Sequence, residues 1–161
     1  MIGEDSQNRF DVVLSEAVLG DITPEQFMFE YSMCDMPLMQ VNRSELVEYL
    51  MSIKDRLTYT KSNLPKHVTL YRASDTPVKN GLSYATCVTV AKKFAKMMLS
   101  ERGQFLGYGK FGKVEVYSIT VDRDDIIYYY NSRNEHECLY VPTGSEKVET
   151  ICFFANQQVD K

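Results

Sequence analysis

Two carboxylates, Glu135 and Glu137, stand two residues apart at the mouth of the apolar run Cys138-Leu139-Tyr140-Val141. If Glu137 begins a strand, the side-chain period of two puts both acids on one face, with His136 and Cys138 on the other. Such a pair on an otherwise apolar strand suits a site that uses its charge. It equally suits a solvated strand end, and the spacing alone leaves both open. Like charges held together disfavour ionisation, so a buried pair needs a use. Upstream, Arg72 closes the alternating, β-branched stretch His67-Val68-Thr69-Leu70-Tyr71-Arg72, and a guanidinium fork there suits phosphate oxygens. Ser83 offers a hydroxyl in the short stretch Leu82-Ser83-Tyr84-Ala85-Thr86. Their plain alternatives are a surface ion-pair partner and a turn hydroxyl.

The elements that must position these groups change character near Leu64-Pro65. Before that point the periodicity is helical. Phe10 to Leu19 carries Phe10, Val13, Leu14, Ala17 and Val18 at helical spacing. Thr23-Pro24-Glu25-Gln26 reads as a cap with proline at the first helical position, opening a helix towards Cys34. Asn42-Arg43-Ser44-Glu45 opens another, running through Leu46, Val47, Leu50, Ile53 and Leu57. The aromatic and methionine cluster from Phe27 to Met39 reads as core, with a cofactor or partner groove as the alternative. After Pro65 strands dominate: His67 to Arg72, Leu82 to Thr86, Lys113 to Val121, Ile126 to Tyr130, Glu137 to Val141 and Val148 to Phe154. They are interrupted by an amphipathic helix, Val88 to Ser100, and a glycine-rich loop, Gly103 to Gly112. The expected architecture is α+β: a helical region over residues 1–64, packed on a mainly antiparallel sheet over 65–161, together one compact domain.

Composition narrows the function classes. A chain of 161 residues supports one domain with a sizeable core. Its net charge of -4 gives no overall footprint for duplex nucleic acid, while leaving room for a local basic groove. The start lacks a basic, apolar leader and no run reaches membrane-spanning length, so a cytoplasmic location without membrane partners is expected. Cys34, Cys87, Cys138 and Cys152 are scattered among apolar neighbours and read as buried, reduced thiols. With His67 and His136 the only histidines, no metal is expected. Gly107-Tyr108-Gly109-Lys110-Phe111-Gly112 matches the dinucleotide fingerprint, yet it follows a helix and leads into a strand, the reverse of what that fingerprint needs. Its glycines still permit close backbone approach to a ligand, with Tyr108 or Phe111 as a cover.

Taken in order, Leu70-Tyr71-Arg72-Ala73, Gly81-Leu82-Ser83-Tyr84-Ala85-Thr86, Ala91-Lys92-Lys93-Phe94-Ala95 and Ser132-Arg133-Asn134-Glu135-His136-Glu137 resemble the arginine–serine–glutamate branch of the ADP-ribosyltransferase superfamily. The resemblance covers about residues 66–155 and is nearest to small phage and bacterial transferases. Where that family carries a second hydroxyl in its serine segment, Ala85 stands here before Thr86. The resemblance implies a split β-sheet of that family's type, NAD as co-substrate and no metal. It implies cleavage of the nicotinamide–ribose bond and transfer of ADP-ribose to a host macromolecule.

Residue by residue, the resemblance makes Glu137 the acid on the ribose, Glu135 the base that activates the acceptor, and Ser83 the hydroxyl that orients Glu137. Arg72 and Ala73 would hold the cofactor, Arg72 at the pyrophosphate or adenosine ribose. Ser83, Tyr84, Phe94, Tyr108 and Phe111 would line the nicotinamide side, an aromatic stacking on the ring. The segment before the acids, with Tyr130, Asn131, Arg133 and Asn134, would read the acceptor. A protein side chain is the favoured acceptor and nucleic acid the alternative. The remaining alternatives are NAD glycohydrolysis, with water as acceptor, and a catalytically silent binding or inhibitor protein. A toxin of this kind would carry an antitoxin partner, for which the N-terminal helices offer a surface if they are not simply a lid.

Overall fold

The computed structural model describes residues 9–34, 37–110, 112–131 and 136–156. Among them are five α-helices and one six-stranded antiparallel sheet, so the chain is α+β. It divides into two compact units, Met1–Leu57 and Thr58–Lys161.

The first unit is helical. Helices α1 (Phe10–Val18), α2 (Pro24–Met33) and α3 (Arg43–Ile53) bury Phe10, Leu14 and Ala17 from the first, Phe27, Met28 and Tyr31 from the second, and Leu46, Tyr49, Leu50 and Ile53 from the third. Thr23 and Gln26 cap α2 reciprocally: Gln26 N donates to Thr23 Oγ1 at 3.1 Å and Thr23 N to Gln26 Oε1 at 2.8 Å. Asn42 Oδ1 accepts from Ser44 N at 2.8 Å and so opens α3. The α-helical hydrogen bonding expected to run to Leu57 stops at Ile53, where the chain tightens into a 3-10 helix, Lys54–Lys61. The expected Phe and Met cluster divides. Phe27 is fully buried, its ring 4.7 Å from that of Tyr49, whereas Phe29, Met33 and Met39 are exposed.

The second unit is the sheet, in the order β4-β5-β2-β1-β3-β6, with every neighbouring pair antiparallel. Three strands are long: β1 (His67–Ser74), β3 (Lys113–Asp122) and β6 (Val148–Ala155). Three span only three residues each: β2 (Ser83–Ala85), β4 (Tyr128–Tyr130) and β5 (Glu137–Leu139). β1 and β3 pair from His67↔Asp122 to Ser74↔Glu115. Their period of two sends Val68 and Leu70, with Ile119 and Val121, into a core shared with Tyr84, Tyr117, Ile126, Cys138 and Tyr140. The alternate positions Ala73, Val114 and Val116 meet Ala91, Ala95 and Met98 of α4 (Val88–Leu99) on the other face. Part of the expected glycine loop is a short helix, α5 (Glu101–Phe105), because Ser100 Oγ accepts from Gly103 N at 3.2 Å and caps it. Lys61 is buried and donates to the carbonyls of Asp124 and Ile126, while Tyr129 N donates to Thr60 Oγ1, which ties the outer end of the sheet at β4.

Candidate functional site

Strands β1, β2 and β5 are hydrogen-bonded neighbours, and they bring Arg72, Ser83 and Glu137 together from distant parts of the sequence. The register decides which side each takes. Ala85 pairs with Tyr71 and with Glu137, Ser83 with Leu139, and Tyr130 with Glu137. Tyr71, Ser83, Ala85, Tyr128, Tyr130 and Glu137 therefore share the face on which α4 lies. Arg72, Tyr84, Tyr129 and Cys138 take the opposite face. Ser83 and Glu137 are diagonal neighbours across β2 and β5, about 7–8 Å apart at the backbone and within reach of a glutamate side chain or a shared ligand. Opposite Glu137 stands Ala85, which is buried. Tyr130 flanks the acid on its other side, its ring 5.2 Å from that of Tyr128.

His136, the residue before β5, is strained and held from several sides. His136 adopts φ 47, the left-handed region, which costs a non-glycine residue on the order of 1–3 kcal/mol. Its N–H donates to Asn131 Oδ1 at 3.2 Å and its carbonyl accepts from Thr86 N at 2.9 Å. Its Nδ1 lies 3.2 Å from the Tyr129 hydroxyl. Asn131, expected to read an acceptor, thus also fixes the residue that delivers Glu137. Glu135, Arg133 and Asn134 lie outside the described residues, as does Phe111.

Arg72 departs from the expected clamp on a cofactor. Its Nη1 donates to Ser83 O at 2.7 Å, and its guanidinium lies on Gly81 so closely that a Cβ there would sit 2.0 Å from Nε. β1 and β2 pair only at Tyr71↔Ala85, and where that ladder stops the side chain of Arg72 takes over, bonding to the carbonyl of the next strand. Its Nε is buried without a hydrogen-bond partner. Arg72 is a brace for the strand that carries Ser83. A pyrophosphate on the Glu137 face would have to find its donors elsewhere.

Tyr84 is likewise not a stacking platform. It is 3% exposed, and its ring meets those of Tyr117 at 6.4 Å and Tyr140 at 6.2 Å edge to face. Burial, reinforced by the neighbouring Tyr117, pushes its hydroxyl far above the usual tyrosine range. Ala73 is buried under α4, so only its backbone is available to a ligand. Phe94 is exposed on α4 and meets Tyr108 edge to face at 6.1 Å, so these two rings form one aromatic corner.

The thiols also differ from expectation. Cys138 alone is buried, and burial with the adjacent Glu137 charge pushes it up to about 12. Cys34, Cys87 and Cys152 are half-buried, and none of the four forms a disulfide. Cys87 is the residue before α4, and the amides of Thr89 and Val90 lower its thiol. The residues that sequence reading passed over are Tyr71 and Thr86. The parity of β1 pointed to the first, while the grip of Thr86 on His136 exists only in the folded pair. Among the described residues, no three His, Cys, Asp or Glu side chains gather as a metal site, and no helix is long and apolar enough to cross a membrane.

Set against models of protein families, curated proteins and solved structures, the chain finds no match.

Proposed function

We propose that this chain is an NAD-dependent mono-ADP-ribosyltransferase and that its six-stranded sheet is of the type found in that superfamily. One observation carries the reading. Three of the four pieces that resemble the family bring Arg72, Ser83 and Glu137 onto adjacent strands, with Ser83 and Glu137 on one face beside an aromatic pair. In the proposed reaction the bond between ribose C1 and the nicotinamide nitrogen breaks, and its electron pair leaves with nicotinamide. The Glu137 carboxylate stabilises the electron-poor ribose carbon, a charge-stabilising role that water would perform poorly. A lone pair on the acceptor forms the new bond to C1, and the acceptor's proton passes to a base, a role the resemblance gives to Glu135. Ser83 orients Glu137. Arg72 contributes through Ser83, as a positioning residue and not as a phosphate clamp.

The test is incubation of the full chain with NAD labelled in the adenylate moiety, reading nicotinamide release and transferred label for the wild type beside Glu137→Gln. The expected result is release that falls by about 10²–10³-fold in the variant, at unchanged thermal stability. Release without transferred label would make the chain a glycohydrolase. If the wild type neither binds nor cleaves NAD, the reading is wrong.

A further inference from the structure

The chain is acidic overall, but one continuous stretch is not. Residues 88–113 carry Lys92, Lys93, Lys96, Arg102, Lys110 and Lys113 against the single acid Glu101. On α4 the side facing the sheet is Ala91, Ala95 and Met98, so Lys92, Lys93 and Lys96 fall on the outward side, Lys92 and Lys96 one turn apart. A lysine-bearing outer face on an amphipathic helix is by itself ordinary. What sets this one apart is the aromatic surface among the cations. Phe94 is 43% exposed and Phe105 on α5 is 89% exposed. Lys96 Nζ lies 5.9 Å from the centre of the Phe154 ring, which packs on the α4 side of the sheet. Exposed rings beside cations are costly in water and useful to a ligand that is both anionic and flat.

We infer that the outward side of α4 and α5 docks single-stranded nucleic acid. Lysines that neutralise successive phosphates supply sequence-independent affinity, and unstacked bases supply π-faces for Phe94 and Phe105. A duplex hides those faces, which favours the single strand. An acidic protein surface would satisfy the lysines and leave the phenyl rings without a matching partner. The position of the surface extends the transferase reading. Cys87, the residue before α4, directly follows Thr86, whose N–H donates to the carbonyl of His136 next to Glu137, so a strand lying along α4 would approach the candidate acid. In that respect the inference rests on the proposed function and names nucleic acid as its acceptor class. The binding itself needs no NAD.

The experiment is fluorescence anisotropy of a labelled 20-nucleotide oligouridylate with the full chain, in the absence of NAD, over a range of salt concentrations. Binding that weakens steeply with salt is expected, the logarithmic slope being about 0.7 per phosphate contact. Lys92→Glu/Lys93→Glu/Lys96→Glu should weaken it by about tenfold or more at unchanged thermal stability. Phe105→Ala should weaken it by about fivefold and Phe105→Trp should restore it, a pattern that a purely electrostatic surface would not produce. The inference is overturned by absence of binding at low salt, by binding indifferent to the triple variant, or by a polyglutamate peptide that competes as well as unlabelled oligonucleotide. The last would point to an acidic protein partner. Because no turnover is measured, these outcomes are separate from success or failure of the transferase assay.

Discussion

The sheet has two unlike halves. β1, β3 and β6 run eight, ten and eight residues and pair along nearly their full length, with buried Leu70 opposite Ile119 and Ala73 opposite Val116. β2, β5 and β4 run three residues each, and a single paired position, Tyr71↔Ala85, joins them to the long half by main chain. The long half is a ladder whose backbone bonds and core reinforce one another. The short half adds side-chain bonds to its short ladders: Arg72 to the Ser83 carbonyl, Thr60 to the Tyr129 amide, Thr86 and Asn131 around His136. All the described residues of the candidate site except Tyr71, Arg72 and Ala73 of β1 and those of α4 and its following loop belong to, or border, the short half. Local opening is cheapest where ladders are short, which suits a site that must admit a substrate and release a product.

Substitutions should separate the halves. In the long half, Leu70→Ala removes a fully buried side chain and should cost about 2–5 kcal/mol of global stability, read by denaturant unfolding. Glu137→Gln, in the short half, should do the opposite: cleavage of NAD falls by about 10²–10³-fold while the unfolding midpoint stays within about 0.5 kcal/mol of wild type. If Glu137→Gln instead unfolds the chain, the division of labour between the halves is wrong.

A subtler break targets the brace. Gly81→Ala places a Cβ inside the Arg72 guanidinium and should cost roughly 1–3 kcal/mol, with faster amide exchange over residues 82–85 and 137–140 and little change in β1·β3. Adding Arg72→Ala should recover part of that loss, because the three atoms nearest to the added Cβ all belong to Arg72; strict additivity would mean that Arg72 is not the obstacle.

The smallest expected effect depends on pH. Behind β5, Glu146 accepts from Thr143 N at 2.8 Å, from Gly144 N at 3.1 Å and from the Tyr140 hydroxyl. Partial burial raises its carboxyl, but the Thr143 amide and the Tyr140 hydroxyl outweigh this and hold it at about 2. Its folded value is thus depressed below the roughly 4.3 of an unfolded glutamate. The stability it contributes is fully present above that unfolded value and is lost as pH falls towards 2. Glu146→Gln should flatten the decline of stability over that interval, with little change near neutrality.

What could be read from the sequence follows from which forces are local. The Thr23–Gln26 cap, the proline after it, the Asn42 cap and the alternation of His67 to Arg72 are written within a few residues, and each appears where those residues require it. The composition of α4, apolar on one side and lysine-bearing on the other, likewise announces a helix lying on something. The strand lengths in the short half were less legible. Ile126 and Ile127 look like strand residues because they are apolar, yet they are core residues of the approach to β4, with Lys61 bonded to the Ile126 carbonyl. The Ser100 cap that turns part of the glycine-rich stretch into α5 was also written locally, in Ser100 and Gly103, but glycine content masked it.

For the site, the sequence by itself determined which groups are available: two acids at a strand mouth, an arginine at the end of a strand, a serine before a helix. It also determined that Glu137 and Cys138 point opposite ways, since that follows from backbone geometry alone. Only the tertiary structure decided which strands are neighbours, and with that the register. Pairing Ala85 with both Tyr71 and Glu137 is what puts Ser83 beside Glu137, sends Tyr84 into the core, and turns Arg72 to the far face as a brace. A shift of one residue in any of these pairings would exchange the faces. No property of an isolated strand records that choice, because it is made by the partner's buried side chains.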